Sequence, residues 1–152
     1  MAAPVIRDAT SADLPRLVEL LAQLSLDEQR EAPGPTLAGG YVRAFEAIEA
    51  DPRQRVLVVE EDGRVEASLV LIIVPNLSHQ GSPWAAVENI VVDATKRRSG
   101  YGRLLMQAAI GAARAAGCYK LALTSNKRRP AAHRFYEGLG FRATHEGFRI
   151  EF

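Results

Sequence analysis

Apolar positions recur along this chain with two periods, and the change from one to the other falls at recognisable turn residues. Leu14, Leu17, Val18, Leu20, Leu21 and Leu24 share one face of a helix. Thr10-Ser11-Ala12-Asp13 in front of them reads as a capping box, and Pro15 sits where a missing N–H is tolerated. A short strand, residues 5–7, comes first. Ala32-Pro33-Gly34-Pro35 breaks the chain, and residues 37–50 supply a second helix that ends near Asp51-Pro52. Residues 55–59 and 64–74 read as strands joined through Glu61-Asp62-Gly63, whose Asp-Gly step favours a tight hairpin turn. A polar loop, 75–83, leads to a strand over 84–92. Helical spacing returns with Tyr101, Leu104, Leu105, Ala108, Ala112 and Ala115, and Gly117 is placed to end that helix. Residues 119–124 then read as a strand, 130–139 as a helix opened by Pro130, and 141–152 as two short closing strands around Glu146-Gly147. The predicted order is β-α-α-β-β-β-α-β-α-β-β, an α/β chain. The strand, turn and helix over 84–116 form a βαβ unit with the next strand, which makes part of the sheet parallel and puts a ligand at the carboxyl ends of its strands.

At 152 residues the chain suits one domain, 1–152. It is 47% hydrophobic and 24% charged, enough apolar content for a core. A formal net charge of +1 gives no overall field of the kind that marks nucleic-acid or membrane-surface binders. The basic residues cluster at Lys96-Arg97-Arg98 and Lys127-Arg128-Arg129, turns without interleaved stacking aromatics, so neither nucleic acid nor membrane is an expected partner. Cys118 is the single cysteine, which excludes an internal disulfide and a cysteine-rich zinc site, and no spaced histidines and carboxylates suggest another metal. Between Gly117 and a strand it reads as a buried structural thiol. No leader pattern opens the chain and no run approaches about 18 apolar residues, so a cytoplasmic location is expected.

Chemistry is concentrated at Arg97-Arg98-Ser99-Gly100-Tyr101-Gly102-Arg103, a basic glycine turn that opens an apolar-periodic helix. The first N–H groups of a helix lack intrahelical partners and the macrodipole adds partial positive charge, so an anion is held there. Gly100 and Gly102 let phosphate oxygens approach, and Arg97, Arg98 and Arg103 add charge. A dinucleotide-binding fingerprint needs a third glycine where Leu105 stands, and a Walker loop needs Gly-Lys-Ser/Thr, which is absent. What fits is Arg-x-x-Gly-x-Gly directly after the strand Ala86-Val87-Glu88-Asn89-Ile90-Val91-Val92. This resembles the acyl-CoA-binding motif of the GCN5-related N-acetyltransferase (GNAT) superfamily. Ala132-His133-Arg134-Phe135-Tyr136-Glu137-Gly138-Leu139-Gly140-Phe141 resembles the same family's closing motif, and the element order is that of its fold. The resemblance covers nearly the whole chain and is to the small single-domain bacterial type.

The resemblance implies the GNAT fold, a mixed central sheet flanked by helices, with acetyl-CoA as co-substrate. Acetyl transfer to an amine needs a neutral nucleophile, a donor for the developing oxyanion and a proton for the departing thiolate. Glu88, the one acid within an apolar strand beside the glycine turn, is the candidate base, directly or through water. A charged residue on an exposed strand face is the competing reading. The main-chain N–H of Ile90 or a near neighbour would polarise the thioester carbonyl, and Val91 and Val92 would pair with pantetheine amides. Ser99, Tyr101 and the rest of the turn would bind the pyrophosphate. Tyr136 is the candidate acid toward the thiolate, the alternative being an aromatic of the core. Asn89 points away from Glu88 by strand alternation unless a bulge intervenes, and the family's strand commonly bulges here. Asn89, with His79 and Trp84 near the 75–83 loop, is a candidate for contact with the acceptor. Many relatives place an asparagine seven residues before the motif tyrosine, where this chain has Arg129. Either Asn126 reaches the cofactor from three residues earlier, or Arg129 replaces the amide contact with a charged one.

The leading expectation is an acetyl-CoA-dependent N-acetyltransferase acting on a primary amine of a small molecule by direct attack in a ternary complex. Gly117-Cys118-Tyr119-Lys120 before a strand, and Glu88 before an apolar strand end, are similar to the glucosamine-6-phosphate N-acetyltransferase branch. A peptide or protein N-acetyltransferase, and a non-catalytic acyl-CoA-binding regulatory domain, are the alternatives. The closing Phe148-Arg149-Ile150-Glu151-Phe152 would form an exposed edge, through which a homodimer is expected.

Overall fold

The computed structural model describes residues 2–152, in two compact units divided after Ala122. The first holds a five-stranded sheet with neighbours in chain order: β1 (Val5–Asp8), β2 (Gln54–Glu61), β3 (Arg64–Val74), β4 (Trp84–Val92) and β5 (Leu121–Ala122). The first three pairings are antiparallel, and β4 pairs with β5 in parallel, as the βαβ unit predicts. β2 and β3 meet at a two-residue turn in which Asp62 and Gly63 both take positive φ, 50° and 78°, with Glu61 opposite Arg64. That is the conformation the Asp-Gly step predicts, since its twist matches that of the flanking strands.

Helices α1 (Leu14–Ala22) and α2 (Gly39–Ala50) precede the hairpin. Leu17 and Leu20 of α1 and Phe45 of α2 join Val58, Val65 and Val91 in one buried cluster, so the apolar stripe of α1 is a sheet-facing surface. A 3-10 turn, Ser11–Asp13, leads into α1, and the Asp13 carboxylate accepts from the Thr10 N–H at 2.7 Å. A short turn, α3 (Ser78–Gly81), separates β3 from β4, and α4 (Tyr101–Ala115) packs on β2, β3 and β4 with Leu105, Met106 and Ala109 fully buried.

Asp13 also takes a two-pronged ion pair from Arg7, at 2.7 and 2.9 Å, which ties β1 to the start of α1. The Arg7 hydrogen bond is the main influence holding the Asp13 carboxyl below its ordinary value. A carboxylate with a lowered folded-state pKa stabilises the fold at and above its unfolded pKa, and the contribution is lost as pH falls through the folded value. The melting temperature of Asp13→Asn should therefore lie below wild type near pH 7 and converge with it as pH falls below the ordinary carboxylate range. Parallel curves across that window would refute the linkage.

The second unit, Leu123–Phe152, contains α5 (Pro130–Gly138). The Phe141 N–H closes on the Tyr136 carbonyl at 3.1 Å, with Gly140 at φ 97°, so Leu-Gly-Phe ends the helix in a left-handed turn. Three predicted strands depart from the sequence pattern. The strand expected over 119–124 is reduced to Leu121–Ala122, because β5 meets β4 only at Ala85 and Ala86. The two closing strands expected over 141–152 do not form. Their alternation specifies a face but not a neighbour, and no ladder pairs them among the described residues. Phe148 and Ile150 remain 94% and 83% exposed.

Candidate functional site

The site is built on the second half of β4. Up to Glu88 this strand alternates regularly, with Ala85 and Val87 buried and Trp84, Ala86 and Glu88 on the other face. The register against β3 then shifts: Val70 faces Glu88 and Ser68 faces Val91, which leaves Asn89 and Ile90 opposite Leu69 alone. Two residues against one is a β-bulge. Asn89 absorbs it at φ 54°, a left-handed conformation that asparagine tolerates better than most residues. The alternation is broken, and Glu88 and Asn89 are both exposed, followed by partly buried Ile90, buried Val91 and partly buried Val92.

Beyond Ala86, β4 has no sheet partner on the side away from β3 among the described residues. The main-chain donors and acceptors of that edge over residues 87–92 are free to pair with an extended ligand that carries amides.

That edge runs straight into the basic turn. A 3-10 turn, Ala94–Lys96, follows β4, then Arg98 at φ 65° and Gly100 at φ 90° swing the chain into α4. Gly100 is the one glycine here whose backbone a side chain would strain, with nothing within 4 Å of its would-be Cβ, so conformation rather than space demands it. No side chain caps the first turn of α4, leaving its leading N–H groups available. Arg97, Arg98 and Arg103 are exposed. None of the three has an ion-pair partner among the described residues. Cationic, uncapped and open, the turn fits an anionic pyrophosphate, and the adjoining edge fits a pantetheine chain.

Three supports of this turn lie outside any local motif. Asp93 is buried and accepts from Thr95 N, Thr95 Oγ1, Arg16 Nη2 and Gln23 Nε2, at 2.9, 2.6, 2.7 and 3.2 Å. Thr95 first and Arg16 second hold its carboxyl far below the ordinary range. Arg16 also reaches the Val65 carbonyl and Glu66, while Gln23 Oε1 accepts from Ala94 N. The third support is Lys96, which pairs with Glu61 at 2.8 Å. The readable signals were an arginine between leucines on α1 and an Asp-x-Thr sequence before the turn, a helix-capping pattern. The Tyr101 side chain is buried, so its main-chain N–H at the start of α4 is the group it offers a ligand.

His79 and Trp84 stand apart from the glycine turn. His79, left-handed at φ 55°, stacks on Tyr119 with ring centroids 3.7 Å apart, and the Lys120 ammonium lies 5.0 Å from the centre of the Trp84 ring. Trp84 shares the face of Glu88 four residues away, about 13 Å along the strand. A concavity of about 470 Å³ beside Asn76 and Pro83 opens at this end too, and the donor edge does not use it. Cys118 is half-buried, and burial raises its thiol pKa, which keeps it protonated and unsuited to carrying an acyl group.

In the second unit, burial raises the Tyr136 phenol pKa, with Arg129 opposing the shift, so its proton is retained at neutral pH. Phe135 and Phe141 pack around its ring, at centroid distances of 5.4 and 6.0 Å. Asn126 organises the loop before α5: its Oδ1 accepts from Arg128 N at 2.8 Å and its carbonyl from Arg129 N at 3.0 Å. His133 Nε2 lies 2.9 Å from that same carbonyl, which makes it a loop support.

Residues 19–141 match the model of the acetyltransferase (GNAT) family. A glucosamine 6-phosphate N-acetyltransferase from Trypanosoma brucei brucei is 31% identical over 152 residues, spanning 96% of this chain and 94% of that protein. Among solved structures, one described as a transcriptional regulator from Bacillus halodurans C-125 is 37% identical with a TM-score of 0.95, covering 99% of this chain and all of the other. A Trypanosoma brucei acetyltransferase structure is 28% identical with a TM-score of 0.82, over 99% of this chain and 100% of its own.

Proposed function

Because this chain belongs to the acetyltransferase (GNAT) family, we propose that it is an acetyl-CoA-dependent N-acetyltransferase that acylates a primary amine of a small molecule by direct attack in a ternary complex. The observation that carries the reading is the open edge of β4, which joins an exposed carboxylate at a bulge to an uncapped, cationic helix start. The Trypanosoma relative is named for glucosamine 6-phosphate, which makes an amino sugar phosphate the first acceptor to try.

Acetyl-CoA, when bound, supplies the thioester whose carbonyl carbon the amine attacks; the new C–N bond replaces the C–S bond. Arg97, Arg98, Ser99, Gly100, Gly102 and Arg103 hold the pyrophosphate through main-chain N–H groups and guanidinium charge. The 87–92 edge orients the pantetheine arm, and the Ile90 N–H donates to the carbonyl oxygen as negative charge develops there. Glu88 takes the ammonium proton, directly or through water, and the Tyr136 hydroxyl donates one to the leaving sulfur. Asn126 and Arg129 are proposed to border the cofactor. Asn89 contacts the acceptor, with Trp84 and His79 farther along. Direct transfer is favoured over a covalent carrier because Cys118 is held as the thiol. The whole chain is proposed to act as one domain in the cytoplasm, where its single free thiol needs no oxidising compartment. It is further proposed to pair as a homodimer through Phe148, Ile150 and Phe152, which are exposed at alternate positions. A monomeric mass by light scattering at micromolar concentration would exclude that pairing.

Release of free CoA thiol from acetyl-CoA, followed with amino sugars, polyamines, amino acids and short peptides, tests the reading. Acceptor-dependent release with one small-amine class is the expected result. Release with peptides alone would move the acceptor to protein amines. Acetyl-CoA binding with no turnover on any acceptor would favour a binding domain, and no binding would overturn the donor assignment.

A further inference from the structure

The shape of the basic turn is set from outside it. β2 ends on Glu61, at the β2–β3 hairpin, and its carboxylate accepts a hydrogen bond from Lys96 Nζ at 2.8 Å. The Tyr101 phenol and the same carboxylate influence each other, the phenol pKa being raised and the carboxyl's lowered. Lys96 and Tyr101 bracket Arg97-Arg98-Ser99-Gly100, the residues that make the turn. The carboxylate therefore holds one end of a segment whose middle is exposed, and the buried Tyr101 ring fixes the other. Two of its residues, Arg98 and Gly100, are left-handed at φ 65° and 90°. For arginine that conformation persists only where the surroundings over-determine it.

We propose that Glu61 is a positioning residue for the pyrophosphate of the acyl donor: it holds the Arg97–Gly100 turn in its binding shape and keeps Lys96 paired away from the ligand, without touching the ligand itself. This rests on the acetyl-CoA reading above. The charge distribution agrees with it. A bare carboxylate beside a diphosphate would repel it, but the charge of Glu61 is offset by Lys96, so the uncompensated cations are Arg97, Arg98 and Arg103. Lys96 first and the Tyr101 phenol second lower the pKa of the Glu61 carboxyl, which keeps it ionised at neutral pH.

Glu61→Gln has two opposing effects. Freed Lys96 adds one solvated cation near the phosphates, a contribution that salt screens. Against that, the Lys96 bond loses its charge, and the turn it anchors loosens. The second effect is the larger, because charge-assisted bonds are about twice as strong as neutral ones.

The test compares the two halves of CoA by calorimetric titration: adenosine 3′-phosphate 5′-diphosphate, which needs the turn, and S-acetylpantetheine, which carries no phosphate. Glu61→Gln is expected to weaken the nucleotide half and CoA alike, by roughly tenfold, and to leave S-acetylpantetheine unchanged. Tyr101→Phe, which keeps the buried ring, should weaken the nucleotide half as well, and the double variant should lose less than the product of the two. Unchanged or tighter nucleotide binding in Glu61→Gln overturns the proposal. Equal losses on both halves overturn it too, since they indicate general destabilisation. Wild-type protein that binds neither half overturns the donor reading and this inference with it, whereas normal wild-type binding beside an indifferent Glu61→Gln removes the inference alone.

Discussion

Replacing Glu88 by Gln is expected to lower kcat/KM for the acceptor by about a hundredfold or more while acetyl-CoA affinity is retained. The side chain is exposed at the bulge and makes no hydrogen bond among the described residues, so an isosteric amide leaves packing unchanged and stability within about 0.5 kcal/mol. What it removes is the proposed proton acceptor. An alkyl ammonium with a pKa near about 10 is almost wholly protonated at neutral pH, and only its neutral form attacks. The variant must draw on the small neutral fraction, which grows about tenfold for each pH unit below that pKa. Its activity should therefore climb steeply with pH and approach wild type in alkali. A profile parallel to wild type, at nearly equal kcat/KM, would leave Glu88 without a proton role and return it to the solvated face of a strand.

Asp93→Ala is expected to lower stability by about 3 kcal/mol, read as a lower urea midpoint at unchanged slope. Its carboxylate is 5% exposed and gathers four hydrogen bonds from α1, from Gln23 and from the following turn. Without it the Arg16 guanidinium, 16% exposed, loses its nearest partner and keeps Glu66 at 3.3 Å and the Val65 carbonyl. Removing one member of a buried ion pair leaves the other under-compensated even with Glu19 at 3.1 Å, which is why the loss exceeds that of a surface pair. Arg16→Met combined with Asp93→Ala should lose less than the sum of the single changes. A single-variant loss below about 1 kcal/mol would mean that water replaces the carboxylate at no penalty.

The elements that hairpins and capping signals delimit were legible in the sequence. The bounds of β3 and β4 are those the alternation predicts, because a two-residue turn fixes the register on one side and polar loops end the strands on the other. The glycine turn was readable for the same reason, since its chemistry is local. The bulge was not readable from alternation, which predicts Glu88 and Asn89 on opposite faces. A bulge is an extra residue relative to a neighbouring strand, and only the family resemblance raised it. The Arg16–Asp93 contact joins residues 77 apart and the Glu61–Lys96 contact residues 35 apart, so no window along the chain contains either pair. The C-terminal strands failed in the opposite way. Their pattern is present in Phe148, Ile150 and Phe152, but a strand exists only by pairing, and the sequence does not name the partner.

The unpaired edge of β4 divides what the proposed site can change from what it cannot. A main-chain edge offers the same N–H and C=O groups whatever side chains stand beside it, proline excepted. Donor recognition along residues 87–92 is therefore insensitive to substitutions that keep the strand. The side chains proposed to meet the acceptor sit at the bulge and beyond it and can be exchanged one at a time. Drift in the choice of amine leaves the acyl donor untouched, so a scaffold of this kind acquires new substrates without first losing its reaction.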